Sequence, residues 1–404
     1  MTTWELSQKE REKTFELLRD LVAQPTINPP GNEENAAQVL EAFFRAHDLS
    51  VERYEVEPGR PNLLCKVEGR RAGRSILLTS HMDVVAPGRL DLWTHDPFEP
   101  YIEEGRLYGR GSCDAKASLA AMATAVVRLA RDRQFDGRVL FGAAMGEEIT
   151  GIGSQRMAET GHIGDAVVVG EPTNLQVMTA HKGRVEVHLE VPGRAAHASQ
   201  PHRSINPIPR AANVIQRLTP FCKEVSRRTH PLLGTSSFVF TILHAGEKQN
   251  VIPDSCRIGM DYRVVPPWTQ EQVMEELEDV MKRLSQELGY EIRSTYRPLG
   301  RPASTPLEEP IVQAALKAVQ SNGIDQEAPT GFTACCDMHH FRAVGAPTII
   351  LGPGRLEQAH TTDEFVGIEQ VIRGAQIYHD LALEFLSQEP RITPIFANNT
   401  ALGA

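Results

Sequence analysis

The chain has 404 residues, 41% of them hydrophobic and 23% charged, with a formal net charge of -10. That length exceeds what one hydrophobic core usually fills, so two domains are expected. The acidic balance argues against nucleic acid or anionic membrane as a main partner, because both require a basic footprint.

The N-terminal stretch MTTWELSQKEREK is charged and has no apolar h-region, and no apolar run is long enough to span a bilayer. Ser7 to Ala23 reads as a helix, with Ser7 and Glu10 in capping-box spacing, before Pro25, Pro29, Pro30 and Gly31 break it. Glu34 to Ala46 is a second helix. SILLTS (75–80), RVLFGAA (138–144) and DAVVVG (165–170) are short, continuous apolar runs, the pattern of strands buried on both faces. Between the first two lies DAKASLAAMATAVVRLAR (114–131), small, apolar and helical. Strands alternating with helices imply an α/β architecture, a mixed but mostly parallel sheet sandwiched by helices.

The middle of the chain has a different grammar. VEVHLEV (185–191) alternates with period two. A helix near 206–218, the strands SSFVFTILHAG and CRIGMDYRV, a helix over 269–288 and the strand YEIRSTYR (290–297) follow. The order β-α-β-β-α-β predicts a ferredoxin-like α+β unit inserted into the first domain. The α/β pattern resumes after Pro302, with a helix near 309–320, the strand PTIILG (347–352) and a helix over 368–386. The expected division is 1–182 and 301–404 for one domain and 183–300 for the insert. The tail RITPIFANNTALGA lacks periodicity and is expected to be loosely ordered. Six cysteines (65, 113, 222, 256, 335 and 336) form no C-x-x-C pair, so reduced thiols and a cytoplasmic location are expected.

Metal-type ligands stand at the carboxyl ends of the apolar strands, where open α/β sheets place their sites. His81 and Asp83 follow the first strand in SILLTSHMD. Asp114 opens a helix in YGRGSCDAK. Glu147 and Glu148 end VLFGAAMGEE, Glu171 follows VVVG, and His360 lies in LGPGRLEQAHTTDE. Such carboxylates repel one another in one crevice unless a cation joins them. Two imidazoles with several carboxylates suit zinc, with cobalt or manganese as substitutes. Five ligands exceed the need of one tetrahedral ion, so a metal pair about 3.5–4 Å apart fits better.

Each feature alone has a blander explanation. A lone histidine after a strand is most often a packed or surface residue, and Glu-Glu is often a solvated turn. GRGS and GIGS lack the full G-x-G-x-x-G spacing of a nucleotide loop. H-E-x-x-H, P-loop and G-x-S-x-G motifs are missing, and adjacent Cys335 and Cys336 read as packing.

Taken in order, SHMDVV, GRGSCDAK, MGEEITGIGS, GEPT, AHASQP, NVIPDSCRIGMDYR and GPGRLEQAHTTDE resemble the dinuclear zinc amidohydrolases. That family includes acetylornithine deacetylase, succinyl-diaminopimelate desuccinylase, aminoacylase and glutamate carboxypeptidase. The resemblance runs from about Leu18 to Leu386. It implies a zinc-peptidase-like catalytic domain with an inserted lid that also dimerises. It implies His81 and Glu171 on one zinc, Glu148 and His360 on the other, and Asp114 bridging both. Asp83 would orient His81, and Glu147 would be the general base. His197 in AHASQP would stabilise the oxyanion in the other subunit's active site, and the strand 185–191 or the helix after Ser204 would lie at the twofold interface. Asn250 and Arg263 would hold substrate, with Gly331 and Thr333 in the substrate pocket. A cis peptide after Asp114 is implied as well.

Departures from the family pattern are DAKAS where a glycine pair is frequent, Ser204 where glycine is usual, and TGFTACCDMHHF in the substrate pocket. The leading expectation is hydrolysis of an N-acyl amino acid. A dipeptidase or carboxypeptidase, a deformylase of an aminomethylpyrimidine, and a degenerate binding protein are the alternatives.

Overall fold

Four apolar segments, Arg138–Ala144, Ser75–His81, Ala166–Val169 and Thr348–Ile350, pair as adjacent parallel strands in that order. Nearly every residue in them is buried, which explains their continuous apolar character. In the computed structural model, which describes residues 4–388, they form the centre of a mixed sheet. An antiparallel hairpin, Val51–Glu57 and Arg60–Glu68, extends the sheet beside Arg138–Ala144. This hairpin escapes sequence patterning because VERYEVE alternates charged residues along an exposed edge. The stretch RITPIFANNTALGA lies outside the described residues.

Helix Gln8–Val22 begins with the capping box read from its sequence. Glu10 N–H donates to Ser7 Oγ (3.4 Å), and Ser7 N–H donates to the Glu10 carboxylate (2.8 Å). Helix Lys116–Asp132 is buried from Lys116 to Val126, between helices Gln8–Val22 and Ile368–Leu386 and the central strands. Its small residues permit that close approach. A Cβ placed on Gly170, at the end of strand Ala166–Val169, would lie 2.5 Å from Ser118 Cβ. Bareness at Gly170 therefore makes room for Ser118, in the place where the family's glycine pair is frequent.

The described residues separate into two compact units. One takes residues up to 179, 305–330 and from 336 on; the other takes 180–304 and 331–335. The second unit carries a four-stranded antiparallel sheet in the order Ser237–His244, Ser255–Val264, Gly183–Pro192, Arg293–Gly300. Helices Pro207–Val225 and Gln270–Leu288 complete the β-α-β-β-α-β order. Val185, Val187, Leu189 and Val191 face a core with Val214, Leu218, Leu277 and Met281. Segment 331–335 joins this unit because Gly331 packs directly on the Leu232 carbonyl. Strand Gly183–Pro192 has neighbours on both sides, so the sheet's open edges are Ser237–His244 and Arg293–Gly300.

Candidate active site and metal centre

Because the four central strands are parallel, their carboxyl ends share one edge of the sheet. His81 ends its strand, and Glu147 with Glu148 lies three residues beyond Ala144. Glu171 follows Val169 by two residues, and His360 sits on the loop after Ile350. Asp114 precedes the buried helix Lys116–Asp132, and the Asp114–Ala115 peptide is cis.

Ligand atoms of His81, Asp114 and Glu148 all lie within 4.8 Å of one another. The two Asp114 oxygens face different imidazoles, Oδ1 at 3.2 Å from His81 Nε2 and Oδ2 at 3.3 Å from His360 Nε2. His360 Nε2 also lies 3.2 Å from Glu148 Oε2. The backbone of His360 is left-handed at φ 62°, a strained state for a residue other than glycine.

Charge balance tests whether this cluster suits cations. Burial pushes the Glu147 and Glu171 carboxyls well above the usual range, and neighbouring acids add to the shift. Burial raises Glu148 too. Asp114 goes the other way, because hydrogen bonds from His360 and His81 outweigh its burial. The same bonds, from Asp114 and Glu148, raise His360 to about 10. Without metal, then, protons must supply the positive charge that the acids demand. Glu148 Oε1 and Glu171 Oε1 are also buried with no hydrogen-bond partner. Buried carboxylate oxygens left this way are strongly disfavoured unless a cation satisfies them. The donor set of imidazoles and carboxylates fits divalent metal.

Asp83 is fully buried and does more than face His81. His81 Nδ1 lies 2.9 Å from the Asp83 main-chain carbonyl and 3.5 Å from its carboxylate. That carboxylate accepts the backbone N–H groups of Glu147 (3.0 Å) and Glu148 (3.1 Å), and Asn28 Nδ2 (2.8 Å). One side chain thus fixes both the imidazole and the loop carrying the two glutamates.

Sequence reading passed over several supports. Glu364 is fully buried; its Oε1 accepts the N–H groups of Cys113 (2.8 Å) and Asp114 (3.0 Å), and its Oε2 is ion-paired with buried Arg110. Arg110 lies in GRGSCD and Glu364 in HTTDE, so both stood inside quoted motifs without a visible role. Asp337, buried near Glu147 and Glu148, is raised to about 7 by burial. Lys116 is buried with Nζ on the Gln24 carbonyl (2.8 Å), and burial lowers it to about 7.

The remaining sequence candidates fall in the second unit. His197 and Asn250 come together there, because Ala196–His197 pairs with Val251–Ile252 and Ala198 N–H donates to Asn250 O (2.9 Å). Both side chains are exposed. Ser199 N–H donates to His197 Nδ1 (3.2 Å), so the proton of the neutral ring sits on Nε2. Arg263 donates from Nε to Asp261 (2.7 Å), which leaves its paired Nη groups for another acceptor. Gly331 lies against Leu232, and Thr333 is exposed.

Residues 77–384 match the family described as Peptidase family M20/M25/M40. The chain belongs to that family. This M20/M25/M40 member is a hydrolase acting on amide bonds. It is 26% identical to a probable succinyl-diaminopimelate desuccinylase of Staphylococcus aureus, over 96% of this chain and 100% of that one. It is 24% identical to the N-formyl-4-amino-5-aminomethyl-2-methylpyrimidine deformylase of Bacillus subtilis, over 95% and 96% of the two chains. Its fold is that of a Staphylococcus aureus tripeptidase, with a TM-score of 0.79, 22% identity, and coverage of 94% of this chain and 99% of that one. Among the described residues, no helix of this family member is long and apolar enough to cross a membrane.

Proposed function

We propose that this chain removes the acyl group from a small N-acyl amino acid, using two zinc ions. The observation that carries the reading is the cluster of His81, Asp114 and Glu148, with unpartnered carboxylate oxygens on Glu148 and Glu171. His81 and Glu171 would hold one ion, Glu148 and His360 the other, and Asp114 would bridge them. When bound, such a pair supplies Lewis acidity, polarising the scissile carbonyl and making water acidic near neutral pH.

Glu147 is the residue left without a ligand role. Its carboxylate takes the proton of the attacking water and delivers it to the nitrogen of the leaving amine. Asp83 sets its position by holding its N–H. His197 of the partner subunit donates from Nε2 to the oxyanion, the atom its bond from Ser199 leaves protonated. Arg263 grips the substrate carboxylate through its Nη fork, and Asn250, Gly331 and Thr333 border the acyl group.

The partner is a second copy of the chain. Strand Ser237–His244 supports this, with an open edge and exposed Val239, Ile242 and Leu243. The six cysteines form no disulfide among the described residues, which favours a reducing compartment, the cytoplasm.

Turnover of a panel of N-acyl amino acids, dipeptides and N-formyl amines by zinc-loaded protein tests the reading. Preference for N-acyl amino acids, lost in Arg263→Gln through a raised KM, is expected. Preference for dipeptides makes the chain a peptidase. Preference for a formyl amine without a carboxylate removes the role given to Arg263.

A further inference from the structure

Away from the metal centre, the larger unit contains a hollow of about 750 Å³ whose wall includes Arg106, Arg355 and Arg373. None of the proposed metal ligands lines it. All three arginines are exposed, and among the described residues none is ion-paired. Two acids share the wall, but Glu369 is already paired with Arg11, which leaves Asp325. Three like charges around one concavity repel at low salt, and an anion relieves that repulsion.

The three guanidinium groups are placed from different elements. Arg106 pairs across the sheet with Gly367, and its guanidinium lies 4.6 Å from the centroid of the Phe365 ring. Arg373 is one turn beyond Gln370 on helix Ile368–Leu386, so the two share a helix face. Gln370 fastens that helix to the opposite wall: its Oε1 accepts Gly354 N–H (3.0 Å), and its Nε2 donates to Asn174 Oδ1 (2.7 Å). Arg355 follows Gly354. The elements carrying the arginines are therefore held around the hollow by backbone and amide contacts, and no carboxylate pairs with the three guanidinium groups among the described residues, although that of Arg106 rests on the Phe365 ring.

We infer that this hollow binds a small phosphate-bearing anion and that its occupancy is felt at the metal centre. A bidentate guanidinium suits phosphate oxygens. The volume exceeds a bare phosphate and falls in the range of small-molecule sites, and half-buried Phe365 and Ile324 add apolar surface to the wall. The path to the metals is short and continuous. Arg355 bridges to Thr173, two residues from Glu171, and its carbonyl accepts the Cys113 thiol (3.3 Å) beside Asp114. The same loop runs on to His360. The coupling rests on the amidohydrolase reading; the binding does not.

Equilibrium dialysis of the zinc-loaded full chain against labelled glycerol phosphate and inorganic phosphate tests the binding. One equivalent of glycerol phosphate should bind, weakened about tenfold or more in R106Q/R373Q, as losing two charge-assisted contacts implies. Because these side chains are exposed, the variant should keep the wild-type Tm; R373E is a second probe on the same helix face. Glu148→Gln should still bind one equivalent, with only the shift in affinity that coupling to the metal centre returns, which separates it from anion capture by the metals. Tighter binding of the ester than of inorganic phosphate assigns an organic phosphate, and the reverse assigns the free ion. No binding at millimolar anion, equal binding by R106Q/R373Q, or loss in Glu148→Gln overturns the site. A saturating anion should shift KM or kcat of the wild type and not of R106Q/R373Q. Bound anion without such a shift overturns the coupling.

Discussion

The two units treat their chemistry-bearing side chains in opposite ways. In the larger unit, His81, Asp83, Asp114 and Glu171 are all buried, and each is fixed by a strand end or a helix start. Backbone N–H groups and buried partners hold them: Asp83 on Glu147 and Glu148, Glu364 on Cys113 and Asp114. In the inserted unit, His197 and Asn250 are exposed, and His197 is braced by Ser199, two residues away. Buried acids and imidazoles in contact buffer one another's charge, so removing one disturbs the rest. An exposed histidine on a short bridge can be removed almost alone. Substitutions of His81, Asp114, Glu148 and Glu171 or of their buried supports should therefore change metal content, stability and rate together, and substitution of His197 should change rate only.

The largest expected effect breaks the comparison if it fails. Exhaustive chelation should abolish activity and lower Tm, since a ligand at about a hundred times its Kd stabilises by about 2.7 kcal/mol. Full activity in metal-free protein, measured alongside elemental analysis, would contradict the metal centre. Next comes the glutamate pair. Glu147→Gln should lower kcat by a factor of about 10² to 10⁴ while metal content stays near that of the wild type. Glu148→Gln should instead release one metal. Exchanged phenotypes would reverse the two roles.

His197→Ala should lower kcat by a factor of about 10² to 10³, as removal of one oxyanion donor does, with metal content and Tm unchanged. Mixed with Glu147→Gln under subunit exchange, it should regain part of the activity, because each heterodimer then owns one intact site. No recovery would place the histidine in its own subunit's site or outside catalysis. Glu364→Gln probes the opposite regime. It leaves buried Arg110 without its charge partner, at a cost of about 3–5 kcal/mol, and should weaken metal binding by about 10- to 100-fold. Calorimetry and metal titration should register both effects.

The legible part of this site follows from topology. A parallel strand that is continuously apolar and then suddenly acidic, as VLFGAAMGEE is, announces a strand end with a function. Three such ends must meet on one edge of a parallel sheet, so the grouping of His81, Glu147, Glu148 and Glu171 could be read without coordinates. The ferredoxin-like order was legible for a similar reason, since VEVHLEV alternates where the first unit does not. The supports were not legible. Glu364 acts on backbone N–H groups some 250 residues earlier in the chain, and no local pattern encodes such a contact. Asp83 looked like a partner of one imidazole because spacing shows only the neighbour two residues away. Its grip on the Glu147–Glu148 backbone appears only when separate strands are laid side by side. The open edge at Ser237–His244 was equally hidden, because the strand order that exposes it is a long-range property.

The smallest expected effect tests how tightly packing in the first unit is tied to its metals. Helix Lys116–Asp132 approaches the end of strand Ala166–Val169 so closely that a Cβ on Gly170 would meet Ser118 Cβ at 2.5 Å and Met122 Cε at 3.0 Å. Met122 can swing aside, but Ser118 Cβ is fixed to its backbone. Gly170→Ala should therefore destabilise by about 1–3 kcal/mol, the usual range for overpacking a filled core. It should also weaken metal binding, because Glu171 is the next residue and the displaced backbone carries it. Ser118→Gly alone removes the obstructing atoms and should be destabilising by about 1 kcal/mol through its helix position. Combined, the two substitutions exchange which partner carries the Cβ. The double variant should then recover much of the lost stability, with an interaction energy of about 0.5–3 kcal/mol, and regain metal affinity. Additive losses in stability and in metal affinity would mean that Glu171 is set by its own loop and not by the helix, and the contrast between the two units would lose its basis there.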